Sequence, residues 1–513
     1  SHFHFFADFP MAENYIKRIL EANVYDVAVQ TPLSPAQFLS QRLGNTVLIK
    51  REDVQPVYSF KCRGAYNCIS KKTPEELAKG VVTASAGNHA QGVALSAQKL
   101  GIKATIVMPR TTPEIKVASV RARGGKAILF GDTFDEAFAH SQKLVEEKGM
   151  TYIHPYDDPD VIAGQGTVAM ELLRQHTGPL DAIFVPVGGG GLAAGISAYV
   201  KYLRPDVKVI AVESTESACL AAAMKAGRRV TLPHVGIFAD GVAVGQIGKH
   251  TWQVCKDNID EVITVTPDEL CAAIKDIFDD TRSIAEPAGA LGVAGLKKYV
   301  EREGVKGQSF IAIESGANMN FDRLRYVSEM AEVGEGREVI LAVTIPEKAG
   351  SFQAFCNLLG KRPITEFNYR YGSDNQAQIY VGVKVADGGK DDLLKELKDK
   401  GYPALDLSTD EISKYHIRHM VGGHAPESVD NEILYRFEFP ERPAALLTFL
   451  KKLGKRWNIS MFHYRNHGAA NGRVLVGLQV PKADKKDLKG YLEELAYPYW
   501  DESDNPAYKL FLK

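Results

Sequence analysis

The sequence has few cysteines, and none of them is arranged for a disulfide framework or a zinc site. The six cysteines of the 513-residue chain stand alone at positions 62, 68, 219, 255, 271 and 356, without a CxxC pair. Scattered single cysteines are typical of free thiols in a reducing compartment. The sequence therefore predicts a cytoplasmic protein without disulfide bonds or structural zinc.

An excess of charge and an uninterrupted apolar run are also missing. The 62 Lys and Arg residues are balanced by 63 Asp and Glu residues, so no basic field is available for a phosphate backbone. The longest uncharged stretch, 182–200, contains Pro186 and the four glycines 188–191. Because these residues would interrupt a lipid-facing helix, neither nucleic acid nor a membrane is expected as a partner.

Between about residues 45 and 320, short β-branched runs alternate with helix-length segments. The runs are continuously apolar, as in strands that are covered on both faces of a sheet. They lie at 46–50, 81–84, 104–109, 127–130, 183–187 and 207–212. The pattern predicts an α/β fold with a doubly wound, mostly parallel sheet, whose ligands bind beyond the carboxyl ends of the strands.

The carboxyl-terminal part repeats itself after a charged, glycine-containing stretch at 329–338 that suits a linker. AVTIPEKAGSFQAFCNLLGKRPITEFNYRY, from Ala342, matches RFEFPERPAALLTFLKKLGKRWNISMFHYRN, from Arg436, at an offset of 94 that becomes 95. Each copy predicts a strand, a helix, two strands and a helix, and Pro346 or Pro440 ends the first strand. The pattern indicates two small βαββαβ modules, each with helices on one face of its sheet.

The strongest chemical motif is PVGGGGLAAG at 186–195, where a buried strand runs into four glycines and then a helix. Glycines let backbone N–H groups converge, and a helix N-terminus adds partial positive charge, so this turn can hold a phosphate. It lacks the usual placing of GxGxxG in the first βα turn and the GK[ST] of a P-loop. A glycine-rich turn packed against a neighbour is the alternative interpretation.

A second motif, SAGNHAQG at 85–92, also follows a strand. Ser85 is a plausible N-cap, and the amides of residues 86–89 could receive a carboxylate. The alternative is an ordinary helix start, with His89 as a structural hydrogen-bonding residue.

In a third motif, SFKCRGA at 59–65, Lys61 lies among apolar and small residues. Burial lowers the pKa of a lysine, as Schiff-base chemistry requires, although a lone lysine is normally solvated. SGAN at 315–318 follows the apolar run 310–313 and could be only a turn.

In this order, the motifs resemble those of pyridoxal-phosphate enzymes with the tryptophan-synthase-β-like fold, fold type II. Within that fold the chain is most similar to the biosynthetic threonine dehydratases, or threonine ammonia-lyases. The resemblance covers nearly the whole chain, from TPL at 31–33 and KRED at 50–53 to AEP at 285–287 and the carboxyl-terminal tandem, which resembles the ACT regulatory family. It implies a two-subdomain catalytic domain at 1–330 (small subdomain roughly 56–155), a linker at 331–337, and α+β ACT-like modules at 338–420 and 431–513.

The resemblance also implies roles for single residues. Lys61 would form the internal aldimine with pyridoxal 5'-phosphate, Phe60 would flank the cofactor ring, and Ser315 would face its pyridine nitrogen. The other cofactor contacts would be Asn88 at the phenolic oxygen and, around the phosphate, Gly188, Gly189, Gly190, Gly191 and Leu192. The substrate carboxylate would be received by Ser85, Gly87, Asn88 and His89.

Some relatives bind a cation near the segment that contains Glu213. Here Ser217 and Cys219 stand where oxygen ligands would be expected, so no metal is predicted.

The implied reaction is the β-elimination of water from L-threonine, and also from L-serine, which gives a 2-oxo acid and ammonia. A serine at the pyridine nitrogen cannot supply the carboxylate that keeps that nitrogen protonated, which favours elimination over transamination. For threonine the product is 2-oxobutanoate, in the first step of isoleucine biosynthesis.

The resemblance further implies a homotetramer that is inhibited by isoleucine, with valine opposing it. An amino acid needs polar anchors for its charged ends and an apolar pocket for its side chain. These requirements point to Phe352, Arg362, Asn368 and Tyr369 in the first module, and to Arg456 and Tyr464 as a weaker second site.

Three alternatives remain open. A nucleotide-binding Rossmann protein would explain the glycines, but the acidic ribose partner is missing and Lys61 argues against it. A non-catalytic amino-acid sensor would explain the tandem. Serine dehydratases and serine racemases share the catalytic motifs but usually lack such a tandem, which makes the tandem the discriminating feature.

Overall fold

The computed structural model describes residues 11–372, 375–386, 388–420, 422–440, 445–465 and 471–513. The chain folds as two compact units, Ser1–Ala331 and Glu332–Lys513. Residues 1–10, the start of the predicted catalytic domain, lie outside the described residues. The predicted domain limits at 330 and 338 stay predictions.

The first unit alternates helices and strands along the chain. Its helices are α1 (Met11–Leu20), α2 (Gln37–Leu43), α3 (Lys61–Ser70), α4 (Pro74–Leu77), α5 (Asn88–Leu100), α6 (Glu114–Ala122), α7 (Phe134–Lys148), α8 (Pro159–Gln175), α9 (Gly191–Leu203), α10 (Cys219–Ala226), α11 (Lys249–Asn258), α12 (Pro267–Thr281), α13 (Leu291–Glu303) and α14 (Arg323–Gly334). Short 3₁₀ turns lie at Glu52–Val54, Asp240–Val242 and Ala288–Ala290.

Ten strands of this unit form two sheets. The strands are β1 (Leu33–Pro35), β2 (Thr46–Arg51), β3 (Val81–Ala84), β4 (Ala104–Met108), β5 (Lys126–Leu129), β6 (Thr151–Tyr152), β7 (Ala182–Pro186), β8 (Lys208–Ser214), β9 (Glu261–Val265) and β10 (Ser309–Glu314). The larger sheet has the order β1-β2-β10-β7-β8-β9 and is parallel except for β1. The smaller sheet, β5-β4-β3-β6, is entirely parallel.

The α/β class is confirmed, and the predicted strands are shifted by no more than a residue or two at their ends. The parallel strands are divided between two sheets, and the smaller sheet falls within the range 56–155. Strands β3, β4 and β7 are buried along their whole length, as continuous apolar runs require. Each chemical motif with a preceding strand follows its carboxyl end: Ser85 after β3, the glycines after β7 and Ser315 after β10.

Helix α14 continues to Gly334, into the predicted linker at 331–337, and that linker stays a prediction. Val327, Met330 and Ala331 are buried along one side of this helix. Their spacing of three and four residues gives the helix an apolar face, which the charged composition of the stretch conceals.

The second unit contains the two predicted modules. The first is β11 (Glu338–Pro346), α15 (Ser351–Leu359), β12 (Ile364–Arg370), β13 (Gln376–Lys384), α16 (Gly389–Asp399), β14 (Ala404–Asp406) and α17 (Glu411–Tyr415), followed by a 3₁₀ turn at Ile417–His419. The second is β15 (Glu432–Pro440), α18 (Ala445–Leu453), β16 (Asn458–Arg465), β17 (Asn471–Gln479), α19 (Lys485–Leu495), β18 (Tyr499–Asp501) and α20 (Pro506–Phe511), with a 3₁₀ turn at Lys482–Asp484.

The βαββαβ order is confirmed in both modules, and Pro346 and Pro440 end β11 and β15 as predicted. The modules share one eight-stranded sheet, β14-β11-β13-β12-β16-β17-β15-β18, in which β12 pairs antiparallel with β16. The equivalent residues Phe367 and Phe462 pack edge to face at this seam, the junction of β12 and β16, with their ring centres 5.2 Å apart. Antiparallel pairing of the two equivalent strands relates the modules by approximate twofold symmetry.

The expectation of helices on one face only is incomplete. The main helices α15, α16, α18 and α19 pack on one face of the sheet in a single apolar core. On the other face, Tyr508 of α20 packs against Leu434 and Met461. The short helices at the end of each module were not predicted, because five or six residues give too little periodicity to detect.

In the described part of the chain, no helix is both long enough and apolar enough to cross a membrane.

Candidate active site

Lys61 is the first residue of α3 in the first unit. Its Nζ donates a hydrogen bond to the carbonyl of Pro155 at 2.8 Å and lies 5.4 Å from the centre of the Phe60 ring. Burial lowers the pKa of the Lys61 amine to about 8, and the nearby Glu286 carboxylate opposes that shift. A lowered pKa is what Schiff-base chemistry at Lys61 would require, and that role stays a prediction.

The loop before Lys61 is tied to the turn that carries Ser315. The N–H of Phe60 donates to the Ser315 carbonyl at 3.1 Å, and the N–H of Ala317 donates to the Tyr58 carbonyl at 2.8 Å. Tyr58 has a left-handed backbone with φ of 61°, which is rare for a bulky residue and indicates local strain. Ser315 is buried beside the lysine loop.

The glycine turn between β7 and α9 has its carbonyl groups paired and its N–H groups open. The carbonyls of Gly188, Gly189 and Gly190 accept from the Cys219 thiol, the Thr251 hydroxyl and the Ala194 N–H. Within the described residues, the N–H groups of 188–192 donate to no other residue. Unpaired buried N–H groups are costly, so their place at the start of a 13-residue helix indicates an anion site.

Packing also restricts this turn to glycine. Gly190 has φ of 98°, and a Cβ on Gly189 would lie 2.2 Å from the ring of Tyr156. Tyr156 follows Pro155, whose carbonyl binds Lys61. The imidazole Nδ1 of His154 accepts the N–H groups of Tyr156 and Asp157 at 3.2 and 2.8 Å and so shapes this segment.

The segment 85–89 forms the start of α5, but Ser85 is not its N-cap. Gly87 occupies that position, and Ser85 Oγ instead accepts the Gly87 N–H at 3.2 Å, which closes a local turn. In the part of the chain that is described, the N–H groups of Ala86, Asn88 and His89 have no acceptor. These groups are therefore available to a carboxylate.

His89 is buried and donates from Nε2 to the carbonyl of Ile153 at 2.8 Å. Burial lowers its pKa to about 3, and the Lys61 charge acts in the same direction. The imidazole is therefore neutral, so it is the backbone N–H of His89 that can receive an anion.

Asn88 brings a residue into the site to which the sequence assigned no role. Its Nδ2 donates to Glu286 Oε1 at 2.9 Å. Burial raises the pKa of Glu286 to about 7, and the Asn88 hydrogen bond opposes that shift. Glu286 is 198 residues from Asn88 in sequence, so no local pattern relates them.

The Glu213 carboxylate is buried and binds backbone N–H groups of the first unit. The Glu213 carboxylate accepts the N–H groups of Leu220 and Ala221 at 2.9 and 2.8 Å, and burial raises its pKa to about 7. Among the described residues, no cluster of three or more His, Cys, Asp or Glu side chains is suited to a metal. The absence of a metal stays a prediction.

In the second unit, a cavity of about 250 Å³ lies between the two modules. It is lined by residues that include Arg362, Thr365 and Lys384 of the first module and Leu446, Phe462 and Tyr464 of the second. Of the predicted effector residues, the cavity brings Arg362 and Tyr464 together.

The other four predicted effector residues lie elsewhere in the second unit. Phe352 and Tyr369 are buried in the core with their rings 4.9 Å apart. Asn368 donates to the Met420 carbonyl, and Arg456 pairs with Asp487 at 2.7 Å. Because equivalent residues of antiparallel modules lie on opposite sides of the seam, one pocket combines unlike parts of the two copies.

The groups around Lys61, the glycine turn and the start of α5 fit pyridoxal phosphate by their own chemistry. The open N–H groups of 188–192 suit a phosphate dianion, and the low pKa of Lys61 suits attachment of an aldehyde. The Asn88 amide and the Ser315 hydroxyl offer hydrogen bonds to a polar ring.

Comparison with known proteins agrees with this chemistry. Residues 24–316 match the family model described as pyridoxal-phosphate dependent enzyme. Residues 329–417 and 423–512 match the model described as the C-terminal regulatory domain of threonine dehydratase.

Curated relatives match along almost the whole chain. L-threonine dehydratase biosynthetic IlvA of Burkholderia multivorans is 56% identical over 505 residues, which are 98% of this chain and 99% of the relative. The protein of that name from Escherichia coli is 53% identical and covers 98% of both chains.

Solved structures match about three-fifths of the chain. The processed form of threonine deaminase isoform 2 from Solanum lycopersicum is 49% identical with a TM-score of 0.62, and covers 63% of this chain and 88% of that one. Maize serine racemase is 32% identical with a TM-score of 0.58, and covers 63% and 98%.

Proposed function

The chain belongs to the threonine dehydratase family, and we propose that its deamination of L-threonine takes place at the site around Lys61. The enzyme is a pyridoxal-phosphate-dependent threonine ammonia-lyase. It eliminates water from L-threonine and yields 2-oxobutanoate and ammonia, the first step of isoleucine biosynthesis.

The observation that carries this assignment is the state of the Lys61 amine. With a pKa of about 8, about a tenth of it is neutral at pH 7, whereas an ordinary lysine is almost fully protonated. A neutral amine can attack an aldehyde and can remove a proton from the substrate Cα. When bound, pyridoxal phosphate supplies a conjugated ring that accepts electron density from that carbon.

The other residues of the site would bind and orient the cofactor and the substrate. The N–H groups of 188–192 would hold the cofactor phosphate, and those of Ala86, Asn88 and His89 would receive the substrate carboxylate. Phe60 would lie beside the cofactor ring. Ser315 would offer the pyridine nitrogen a hydroxyl, which carries no negative charge to keep that nitrogen protonated.

The second unit is the regulatory domain, and we infer that isoleucine binds in its cavity, with valine as the opposing effector. Arg362 and Lys384 offer positive charge to an amino-acid carboxylate, while Leu446 and Phe462 offer apolar surface to a branched side chain. A homotetramer and a cytoplasmic location complete the proposal. The six cysteines, all buried thiols, are compatible with a reducing compartment.

The direct test is an assay of 2-oxo acid formation from L-threonine and from L-serine, each with and without isoleucine. We expect turnover of threonine, its loss in Lys61→Ala, and inhibition by isoleucine. A serine racemase is similar in structure to 63% of this chain, so the same reactions are analysed for D-serine. Racemisation without 2-oxo acid, or no turnover at all, would contradict the proposed activity.

A further inference from the structure

Glu286 and Asn318, which belong to the AEP and SGAN motifs, meet at the side chain of Asn88. Asn88 Nδ2 donates to Glu286 Oε1 at 2.9 Å, and Asn318 Nδ2 donates to Asn88 Oδ1. The backbone N–H of Asn318 also donates to Glu286 Oε1, at 3.4 Å. The three side chains come from three separate segments of the first unit and form one hydrogen-bonded cluster.

The direction of every hydrogen bond in this cluster is determined by its two ends. Asn318 Nδ2 donates to the carbonyl of Val57 at 2.9 Å, and a carbonyl can only accept. The Asn318 amide nitrogen must therefore face both Val57 and Asn88, so that Asn88 presents its oxygen there. At the other end, the backbone N–H of Asn318 requires an acceptor on Glu286, and the same oxygen accepts from Asn88.

This cluster uses one of the two N–H bonds of the Asn88 amide. The second has no acceptor among the residues that the structure describes. An asparagine amide is almost symmetric in shape, so packing alone does not decide which end carries the donors. The partners of Asn88 decide it.

We propose that Glu286 and Asn318 are positioning residues that hold the Asn88 amide in one orientation, so that its remaining N–H is the group offered to the ring oxygen of pyridoxal phosphate. The inference rests on the proposed function, in which Asn88 binds that oxygen. Glu286 and Asn318 act through Asn88 and do not themselves contact the cofactor.

The surroundings of Glu286 limit its movement. The side chain is 3% exposed, and a Cβ on Gly316 would lie 2.3 Å from its Oε1. A Cβ on Gly241 would lie 3.2 Å from the other carboxylate oxygen, Glu286 Oε2. The carboxylate therefore lies between two backbone segments that approach closely because they carry no side chain, and its acceptor oxygen stays opposite Asn88.

Three substitutions separate the orientation of Asn88 from the charge of Glu286. Glu286→Gln keeps an acceptor oxygen, since the Asn318 backbone N–H still requires one, and loses only the charge. Glu286→Ala removes the acceptor. Asn318→Asp changes few atoms but places an oxygen opposite Asn88 Oδ1, which works against the native orientation.

The experiment titrates the full-length apo-enzyme with pyridoxal phosphate and records the dissociation constant and the visible absorbance maximum. We expect Glu286→Ala and Asn318→Asp to weaken cofactor binding about tenfold or more and to shift the absorbance, because a hydrogen bond to a charged oxygen is lost. Glu286→Gln should remain within about threefold of the parent. In an Asn88→Ala background, the two disruptive substitutions should add less than about threefold.

The outcomes distinguish the inference from the proposed function. If Asn88→Ala leaves cofactor binding and absorbance unchanged, Asn88 does not bind the cofactor and both fail. If Asn88→Ala weakens binding but Asn318→Asp does not, only the positioning role is wrong. Equal effects of Glu286→Gln and Glu286→Ala would assign the effect to charge and overturn the proposal, as would undiminished effects in the Asn88→Ala background. Asn318→Asp decides alone if Glu286→Ala does not fold.

Discussion

Arg63, two residues after Lys61, is bound by Glu171 of α8 at 2.9 Å between Nη2 and Oε1, and both side chains are buried. Glu52 binds the same guanidinium at 2.6 Å, and Lys50 binds Glu171 at 2.8 Å. The four charged side chains, which are Lys50, Glu52, Arg63 and Glu171, form one buried ion-pair network next to the start of α3. Since α3 begins at Lys61, the network fixes the helix that carries the reactive amine.

We expect Arg63→Met to destabilise the first unit by about 3–5 kcal/mol, because it leaves the buried Glu52 without a cation and Glu171 with Lys50 alone. Urea unfolding of the full chain, followed by fluorescence, measures the change. The matched control is Arg18→Met, which breaks an ion pair to Asp160 whose side chains are 40% and 27% exposed. That pair should contribute less than about 1 kcal/mol. Similar losses in the two variants would mean that the buried network does not hold α3.

The residues that a motif contains could be predicted, whereas their supporting partners could not. Lys61, Asn88 and the glycines lie at strand ends or helix starts within short patterns that have chemical meaning by themselves. Their partners are distant in the sequence: Pro155 is 94 residues from Lys61, Glu171 is 108 from Arg63, and Glu286 is 198 from Asn88. Their contacts depend on how strands of two sheets are arranged, which periodicity does not encode.

At two places the local structure differs from what residue composition alone indicates. Ser85 is a residue type that commonly caps helices, but its hydroxyl accepts the Gly87 N–H and closes a turn. Gly87 is the N-cap instead, and the helix begins at Asn88. The charged stretch after Glu329 has the composition of a linker, and the buried Met330 and Ala331 lie in the part of it that is helical, up to Gly334.

Gly189→Ala should weaken cofactor binding by about one to two orders of magnitude. The added methyl would lie 2.2 Å from the Tyr156 ring, and overpacking of this kind typically costs about 1–3 kcal/mol. The turn would move away from the position that its N–H groups need. The dissociation constant of pyridoxal phosphate measures the effect.

The control for Gly189→Ala is Gly178→Ala, since a Cβ there has its nearest neighbour 3.6 Å away, at ordinary contact distance. It should leave the dissociation constant within about twofold of the parent. An unchanged constant in Gly189→Ala would show that this turn does not hold the phosphate.

The pKa of Lys61 predicts how cofactor attachment depends on pH. Protonated amine is unreactive, so the rate of attachment to apo-enzyme should rise with pH and level off above about 8. From pH 7 to the plateau the increase should be about tenfold. Stopped-flow absorbance after mixing apo-enzyme with pyridoxal phosphate gives this profile, and Lys61→Ala should show no attachment. A rate that still rises near pH 10 would mean that Lys61 is an ordinary lysine.

The cavity between the modules predicts which arginine isoleucine uses. Arg362 lines that cavity with Tyr464, whereas the equivalent Arg456 does not and pairs with Asp487. Arg362 pairs with Glu396 at 3.1 Å in a half-exposed position, so its removal should not disturb the core of the first module.

Arg362→Ala should therefore raise the isoleucine concentration for half-inhibition by about tenfold or more, since a charge-assisted hydrogen bond to the carboxylate is lost. Arg456→Ala, the matched control, should change that concentration by less than about threefold. Both are measured as inhibition curves of 2-oxobutanoate formation on the full chain. Because coupling requires that isoleucine bind one conformation better than another, a variant that no longer binds it must also lose the inhibition. Equal shifts in the two variants would mean that isoleucine does not bind in this cavity. An unchanged inhibition curve in Arg362→Ala would mean that Arg362 does not contact isoleucine.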